Sequence, residues 1–92
     1  MSDFKIAETK TFSKAKEKID NRLYQKIKHV VYPQLRKNPF YGSNIKKLKG
    51  EFEDYYRYRI GKYRLFYLIE KKEVLVLIVD LHQRKNAYRS KS

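Results

Sequence analysis

The second half of the chain alternates between apolar and polar positions in the way that β-strands do. Segments with this period cover residues 55–60 and 63–69, and a third strand is predicted at 73–80 around the apolar run at 74–79. Gly61-Lys62 separates the first two segments and predicts a two-residue hairpin turn, and Lys71-Lys72 predicts the next turn. These segments therefore predict an antiparallel meander of about three strands.

The first half shows helical spacing instead. Residues 4–7, FKIA, predict a short strand, and Thr11 or Ser13 can cap a first helix that runs to about Ile19. Asp20 or Asn21 can cap a second helix, which has one apolar stripe made of Leu23, Ile27, Val30, Val31 and Leu35. We expect Pro33 to kink or interrupt this helix and Asn38-Pro39 to end it.

The order of strand, two helices and antiparallel meander predicts an α+β fold with the helices on one face of the sheet. The 92 residues suffice for one core, so we expect a single domain over residues 1–92.

The predicted hairpin gives its residues a definite pairing. Ile60 would pair with Tyr63, and Arg59 would lie directly opposite Arg64. One face would then be apolar and pack under the helices, with Tyr56, Tyr58, Ile60, Tyr63, Leu65, Tyr67 and Ile69. The other face would carry Arg57, Arg59 and Arg64 beside Phe66 and Leu68. Like charges directly opposite one another destabilise a sheet, so this cluster is either a solvated face or a site that grips an anion.

The charge balance favours the anion site. The chain holds 23 Lys+Arg against 10 Asp+Glu, a net charge of +13, and residues 21–50 and 81–92 contain no acidic residue. Such a surplus attracts polyanions such as nucleic acid, an acidic protein or an anionic membrane.

Other classes of protein are disfavoured by what the sequence lacks. There is no cysteine, and the two histidines are far apart, so we expect no metal site and no cofactor. The beginning of the chain has no apolar signal-peptide core, and the longest apolar run, residues 74–79, is too short to span a membrane. We therefore expect a soluble cytoplasmic protein with no membrane partner.

The residues after the last strand add chemistry to the arginines. His82, Arg84 and Tyr88 follow the apolar run closely. Arginines that bind phosphate, together with His and Tyr as proton-transfer groups, would suit a phosphodiester site. No carboxylates have metal-ligand spacing, so metal-free RNA cleavage, in which the 2′-hydroxyl attacks the adjacent phosphate, is the coherent option.

These motifs resemble the RelE/ParE toxin superfamily of bacterial and archaeal toxin–antitoxin modules. Its members carry an L-x-G…Y-R-x-R-x-G-x-Y-R core and an H-R-x-x-x-Y-like ending. The core corresponds here to Leu48, Gly50, Tyr56, Arg57, Arg59, Gly61, Tyr63 and Arg64, and the ending to His82, Arg84 and Tyr88. The order of the two N-terminal helices also fits, so the resemblance covers nearly the whole chain.

The resemblance implies a basic groove that, in RelE-like members, cuts mRNA in the ribosomal A site without metal and leaves a 2′,3′-cyclic phosphate. The implied catalytic residues are Arg57, Arg59, Arg64, Arg84, Tyr88 and His82. The implied RNA-binding residues are Lys46, Lys47, Lys49, Lys85 and Arg89. The implied partners are mRNA, the ribosome and an acidic antitoxin that would cover the basic face.

Two departures from the family pattern affect the proton-transfer groups. Arg57 and Arg59 stand where some RelE-type enzymes use lysines. Arginine is a poor proton donor, so acid–base work would fall on His82 or Tyr88. Gln83 is inserted between His82 and Arg84, which would put these two on opposite faces of a strand unless a bulge intervenes. The alternatives are a ParE-like inhibitor of DNA gyrase and a non-catalytic RNA- or ribosome-binding module.

Overall fold

The computed structural model of the protein describes residues 3–50 and 54–83. Its strands are β1 (Lys5–Glu8), β2 (Ile45–Lys47), β3 (Tyr55–Ile60), β4 (Tyr63–Glu70) and β5 (Leu75–Gln83). Its helices are α1 (Lys10–Lys16), α2 (Asn21–Lys26) and α3 (Tyr32–Lys37), with a π-helical segment (Ile27–Val31) joining the last two. This α+β arrangement, with a strand and helices before an antiparallel meander, confirms the predicted fold class.

The first helix begins and ends earlier than predicted. Its N-cap is Thr9 rather than Thr11 or Ser13: Thr9 is extended, and its hydroxyl accepts a hydrogen bond from the Phe12 N–H. Thr11 and Ser13 lie inside the helix. The last turn tightens at Glu17, whose N–H bonds to the Lys14 carbonyl, so the helix ends at Lys16 rather than near Ile19.

The second helical region has the predicted cap at Asp20, whose carboxylate accepts from the Arg22 N–H at 3.0 Å. The α-helix is interrupted just before Pro33, as predicted, by the π-helical segment Ile27–Val31. The π-helical turn immediately before α3 widens the backbone, and Pro33 stands in the first turn of α3, where a missing N–H costs little. The helix ends at Lys37, before Asn38-Pro39, as predicted.

The sheet has the strand order β1-β5-β4-β3-β2. The pairing of β3 with β4 across Gly61-Lys62 is as predicted, including Ile60 opposite Tyr63 and Arg59 opposite Arg64. Two strands extend the predicted meander: β2 pairs antiparallel with β3, and β1 pairs parallel with β5. β5 covers Leu75–Gln83 rather than 73–80, because Val74 takes a left-handed conformation (φ 51°) that keeps it in the turn.

The core lies between the helices and one face of the sheet. Helical Phe12, Ile27, Val31 and Leu35 are buried against Tyr58, Ile60, Leu65, Tyr67, Val76, Ile78 and Leu81. The face that the hairpin pattern assigned to the core is thus the buried one. We call the opposite face, turned away from the helices, the outer face.

Within the residues that the structure describes, no helix is long and apolar enough to cross a membrane.

Candidate functional site

A β-bulge in β5 decides which side chains reach the outer face. Phe66 pairs with Asp80 and Tyr67 pairs with Ile78, so Val79 is an extra residue without a counterpart in β4. Before the bulge Ile78 is buried in the core, and after it Leu81 is buried instead. The extra residue therefore exchanges the two faces of the strand and places Asp80 and His82 on the outer face.

Thr9, the residue directly after the edge strand β1, contacts this bulge. Its hydroxyl lies 3.0 Å from the Ile78 carbonyl oxygen and 2.9 Å from that of Val79, and its N–H donates to the Ile78 carbonyl at 3.0 Å. Because the same hydroxyl caps α1, one side chain connects the start of the helix to the irregular part of β5.

The outer face carries two rows of side chains that run across the strands. Arg59, Arg64 and His82 are successive pairing partners in β3, β4 and β5. The adjacent row runs from Lys46 in β2 through Arg57 and Phe66 to Asp80 in β5. Neighbouring strands are about 4.8 Å apart, so each row is short enough for its members to act on one ligand.

The first row places two arginines directly opposite each other. Arg59 faces Arg64 directly, and Arg59 is exposed while Arg64 is half-buried. Opposed cations of this kind cost roughly 0.2–1 kcal/mol in ordinary sheets. A bound phosphate would remove that cost, because guanidinium groups donate in pairs to its oxygens.

A pocket of about 360 Å³ opens on the outer face beside these rows. It is lined by Leu48, Tyr55, Arg64, Phe66, Val79, Asp80 and His82. Its lining combines aromatic and aliphatic side chains with charged ones. Such a lining suits a ligand with a flat apolar part and an anionic part.

Asp80 and His82, which both line the pocket, form a hydrogen-bonded pair. His82 Nε2 lies 2.9 Å from Asp80 Oδ2, and the other carboxylate oxygen accepts from the Leu81 N–H at 2.8 Å. The rings of Phe66 and His82 make an edge-to-face contact, with their centroids 5.5 Å apart. The imidazole is thus held by a carboxylate and by an aromatic ring.

The sequence pattern alone did not identify Asp80 as a site residue, because no other carboxylate stands near it in the chain. The sequence signal that could have identified it is the D-x-H spacing of Asp80 and His82, since residues two apart in a strand point to the same face. The pattern also predicted His82 after the last strand, whereas His82 lies within β5 and pairs with Arg64.

The structure brings together only some of the expected site residues. Arg57, Arg59, Arg64, His82 and Lys46 share the outer face. Lys47 pairs with Tyr56 and so lies on the opposite face of β2, and Lys49 is exposed in the segment after that strand. The predicted residues Arg84, Lys85, Tyr88 and Arg89 lie outside the described residues.

Comparison with known proteins agrees with this architecture. The sequence profile of a family described as the ParE toxin of type II toxin–antitoxin systems, parDE, matches residues 3–88. No curated protein sequence matches the chain significantly.

Several solved structures share the fold. One is the toxin–antitoxin complex RelBE2 from Mycobacterium tuberculosis, with a TM-score of 0.80, 24% identity, and coverage of 91% of this chain and 94% of that one. The archaeal RelE–RelB complex from Pyrococcus horikoshii gives a TM-score of 0.75 at 25% identity, covering 91% and 97%. The isolated Escherichia coli RelE toxin has a TM-score of 0.70 at 18% identity, with coverage of 97% of this chain and 99% of that one.

The fold is that of the RelE/ParE superfamily of toxins. Within it, the chain belongs to the ParE toxin family of type II toxin–antitoxin systems.

Proposed function

We propose that this toxin is a metal-independent endoribonuclease that cuts mRNA, in the A site of the ribosome, and thereby inhibits translation. The observation that carries the proposal is the row of Arg59, Arg64 and His82 at the edge of the outer-face pocket. This row offers cationic donors for a phosphate and a proton-transfer group beside them.

The reaction needs little else from the protein. The RNA 2′-oxygen bonds to the adjacent phosphorus while the bond from phosphorus to the 5′-oxygen breaks, which leaves a 2′,3′-cyclic phosphate and a 5′-hydroxyl. A base takes the 2′-hydroxyl proton and an acid supplies one to the leaving oxygen. Arg57, Arg59, Arg64 and Arg84 would stabilise the charge that develops on the phosphate, and His82 and Tyr88 would move the protons.

The apolar residues that line the pocket favour a single-stranded RNA substrate. Tyr55 and Phe66 line it together with Leu48 and Val79. Unpaired bases stack on aromatic side chains, and each stacked base is worth roughly 1–3 kcal/mol. A base held there would place its own phosphate near Arg64, while Lys46, Lys49, Lys85 and Arg89 would bind the backbone on either side. Lys47, on the opposite face of β2, has no part in this contact.

The proposed reaction makes no use of a metal ion. Among residues 3–50 and 54–83, the histidine and carboxylate side chains form no group of three that could hold a metal ion. The RNA nucleophile is internal, so DNA, which lacks it, would be bound but not cut.

The family description favours a second candidate, inhibition of DNA gyrase by binding, because the matching profile is named for ParE. A protein that only binds gyrase would need the basic surface but has no use for a histidine oriented by a carboxylate. The Asp80–His82 pair therefore favours the ribonuclease.

The partner that we propose in the resting state is an acidic antitoxin. The solved structures from Mycobacterium tuberculosis and Pyrococcus horikoshii are complexes of a toxin with its antitoxin. A net charge of +13 favours an acidic partner that covers the outer face and excludes RNA from it.

The test uses purified full-length protein and programmed ribosomes that carry a defined mRNA, with EDTA present. We expect cuts in the A-site codon with a cyclic phosphate at the new 3′ end, which are lost in Arg64→Ala and Tyr88→Phe variants. Folded wild-type protein that makes no cuts in ribosome-bound or free RNA would overturn the proposal. Inhibition of gyrase supercoiling by the same preparation would then support the second candidate.

A further inference from the structure

We propose that Asp80 is a positioning residue: it holds His82 with the ring proton on Nε2 and so leaves Nδ1 as the nitrogen that takes the proton from the RNA. The inference rests on the proposed function, because it assigns the base within that same site. It names a residue and an atom that the family motif does not include.

The hydrogen bonds of the carboxylate determine the tautomer of the imidazole. An ionised carboxylate can only accept, so the 2.9 Å contact between Asp80 Oδ2 and His82 Nε2 requires a proton on Nε2. In the neutral ring the other nitrogen, Nδ1, then has a free lone pair. That lone pair can accept the proton of a 2′-hydroxyl.

Two further contacts keep the pair rigid. The Leu81 N–H donates to Asp80 Oδ1 at 2.8 Å, so the carboxylate cannot rotate freely. The ring of Phe66 stands at 77° to the imidazole with its centroid 5.5 Å away, which limits rotation of the imidazole about its Cβ–Cγ bond. The side chains of His82 and Asp80 are 53% and 28% exposed, so the ring is open to a substrate while its partner is more sheltered.

Asp80 also offsets the electrostatic cost of using a histidine in this row. When His82 takes a proton it becomes a third cation next to Arg64 and Arg59. The adjacent carboxylate partly compensates for that charge as it forms.

The Leu81 contact makes Asp80→Asn a sharp test. The Leu81 N–H needs an acceptor, so the carbonyl oxygen of the asparagine should take the place of Oδ1. The amide NH₂ then faces His82 Nε2 and makes that nitrogen an acceptor. We expect the proton to move to Nδ1, which removes the base without changing the size of the side chain.

The experiment combines an NMR measurement of the His82 tautomer with a measurement of the RNA cleavage rate. Long-range ¹H–¹⁵N correlation of labelled full-length protein, at a pH where the imidazole is neutral, reports which ring nitrogen carries the proton. We expect Nε2–H in the wild type and Nδ1–H in Asp80→Asn. Cleavage by the variant should fall by roughly 10²-fold or more, the usual contribution of a general base.

Glu73→Gln is the matched control. It also removes one negative charge, but it lies in the exposed turn before the opposite end of β5. We expect it to keep both the wild-type tautomer and the wild-type rate.

The outcomes separate this inference from the proposed function. A proton on Nδ1 in the wild type overturns the inference, even if the Asp80→Asn variant does not fold. Unchanged cleavage by folded Asp80→Asn overturns it as well. An inverted tautomer in Asp80→Asn, with wild-type protein that cuts no RNA, would support the positioning by Asp80 and refute the ribonuclease.

Discussion

Arg64 lies directly opposite His82 because β5 carries one more residue than the strand beside it. If β5 had no bulge and its pairing with β4 continued regularly from Tyr67–Ile78, Val79 would lie opposite Phe66 and Leu81 opposite Arg64. Leu81 would then lie on the outer face and His82 on the helical side. The bulge thus brings a proton-transfer group and a phosphate-binding group to adjacent positions.

Replacing Arg64 with alanine should abolish cleavage and leave the fold intact. Arg64 lines the pocket beside His82, so its guanidinium is well placed to stabilise charge on the phosphate. Loss of one such donor typically lowers the rate by about 10²–10³-fold. The measurement is single-turnover cleavage, with circular dichroism to verify folding. Lys62→Ala, in the exposed hairpin turn, is the control and should cleave normally. Normal cleavage by folded Arg64→Ala would contradict the assigned site.

Replacing Arg59 with threonine should stabilise the protein while weakening RNA binding. Arg59 faces Arg64, so the variant removes a repulsion worth roughly 0.2–1 kcal/mol and adds a residue that favours strands. Urea unfolding would measure the gain in the free energy of unfolding. A loss of stability would show that Arg59 is held by interactions that outweigh the repulsion.

The same variant should change how RNA affinity depends on salt. Each phosphate contact to a single strand contributes about 0.7 to the slope of log K against log salt concentration. Binding of a 2′-deoxy-substituted strand, which cannot be cut, should therefore show a slope that is smaller by about 0.7 for Arg59→Thr. An unchanged slope would mean that Arg59 does not contact phosphate.

Replacing Thr9 with valine should destabilise the protein and misplace His82. The hydroxyl caps α1 and contacts the Ile78 and Val79 carbonyl oxygens at the bulge, and valine keeps the shape but has no hydroxyl. Loss of the cap alone should cost about 1–2 kcal/mol. We also expect slower cleavage per folded molecule, because the bulge loses its support. Thr9→Ser retains the hydroxyl and should keep the wild-type stability and the wild-type cleavage rate. A folded valine variant with a normal rate would show that the bulge needs no such support.

The hairpin was predictable because its determinants are local. Gly61-Lys62 fixes the turn, and a two-residue turn fixes the pairing of every residue along both strands. The sequence pattern therefore suffices to assign the arginines to one face and to place Arg59 opposite Arg64, as the pairing of β3 with β4 confirms.

The bulge was not predictable, for an equally physical reason. Residues 74–79 are all apolar, so the run contains no alternation from which the two faces of the strand could be told apart. The position of the extra residue depends on the pairing with β4 and on the contact with Thr9, both of which are tertiary. Asp80 is therefore isolated in the sequence, although it is the partner of His82 in the fold.

The N-cap of the first helix also could not be predicted from the sequence alone, because it depends on a tertiary contact. Thr9, Thr11 and Ser13 all carry a hydroxyl that can cap a helix. The structure selects Thr9 because its backbone N–H is already bonded to β5, which leaves it extended at the end of β1.

On the helical side of the sheet, Glu8 should make the stability of the protein depend on acidity. Its Oε2 accepts from the hydroxyls of Tyr32 at 2.8 Å and Tyr24 at 2.9 Å, and its Oε1 accepts from Lys16 at 3.0 Å. Burial alone would raise the pKa of Glu8, but these hydrogen bonds together outweigh burial and lower it from the usual 4.5. The ionised form is therefore favoured by folding.

It follows that this contribution is fully present above about pH 4.5 and is lost as the pH falls through the lower pKa of the folded state. Tyr32→Phe, which removes one hydrogen bond to the carboxylate, should cost about 1–3 kcal/mol at pH 7 and less at pH 3. Glu8→Gln should likewise differ most from the wild type at pH 7. Urea unfolding at both pH values measures these differences, with Glu17→Gln, an exposed carboxylate on the same helical side, as the control. A Tyr32→Phe cost that is equal at both pH values would show that the hydroxyl does not stabilise the ionised form of Glu8, and the lowered pKa would then need another source.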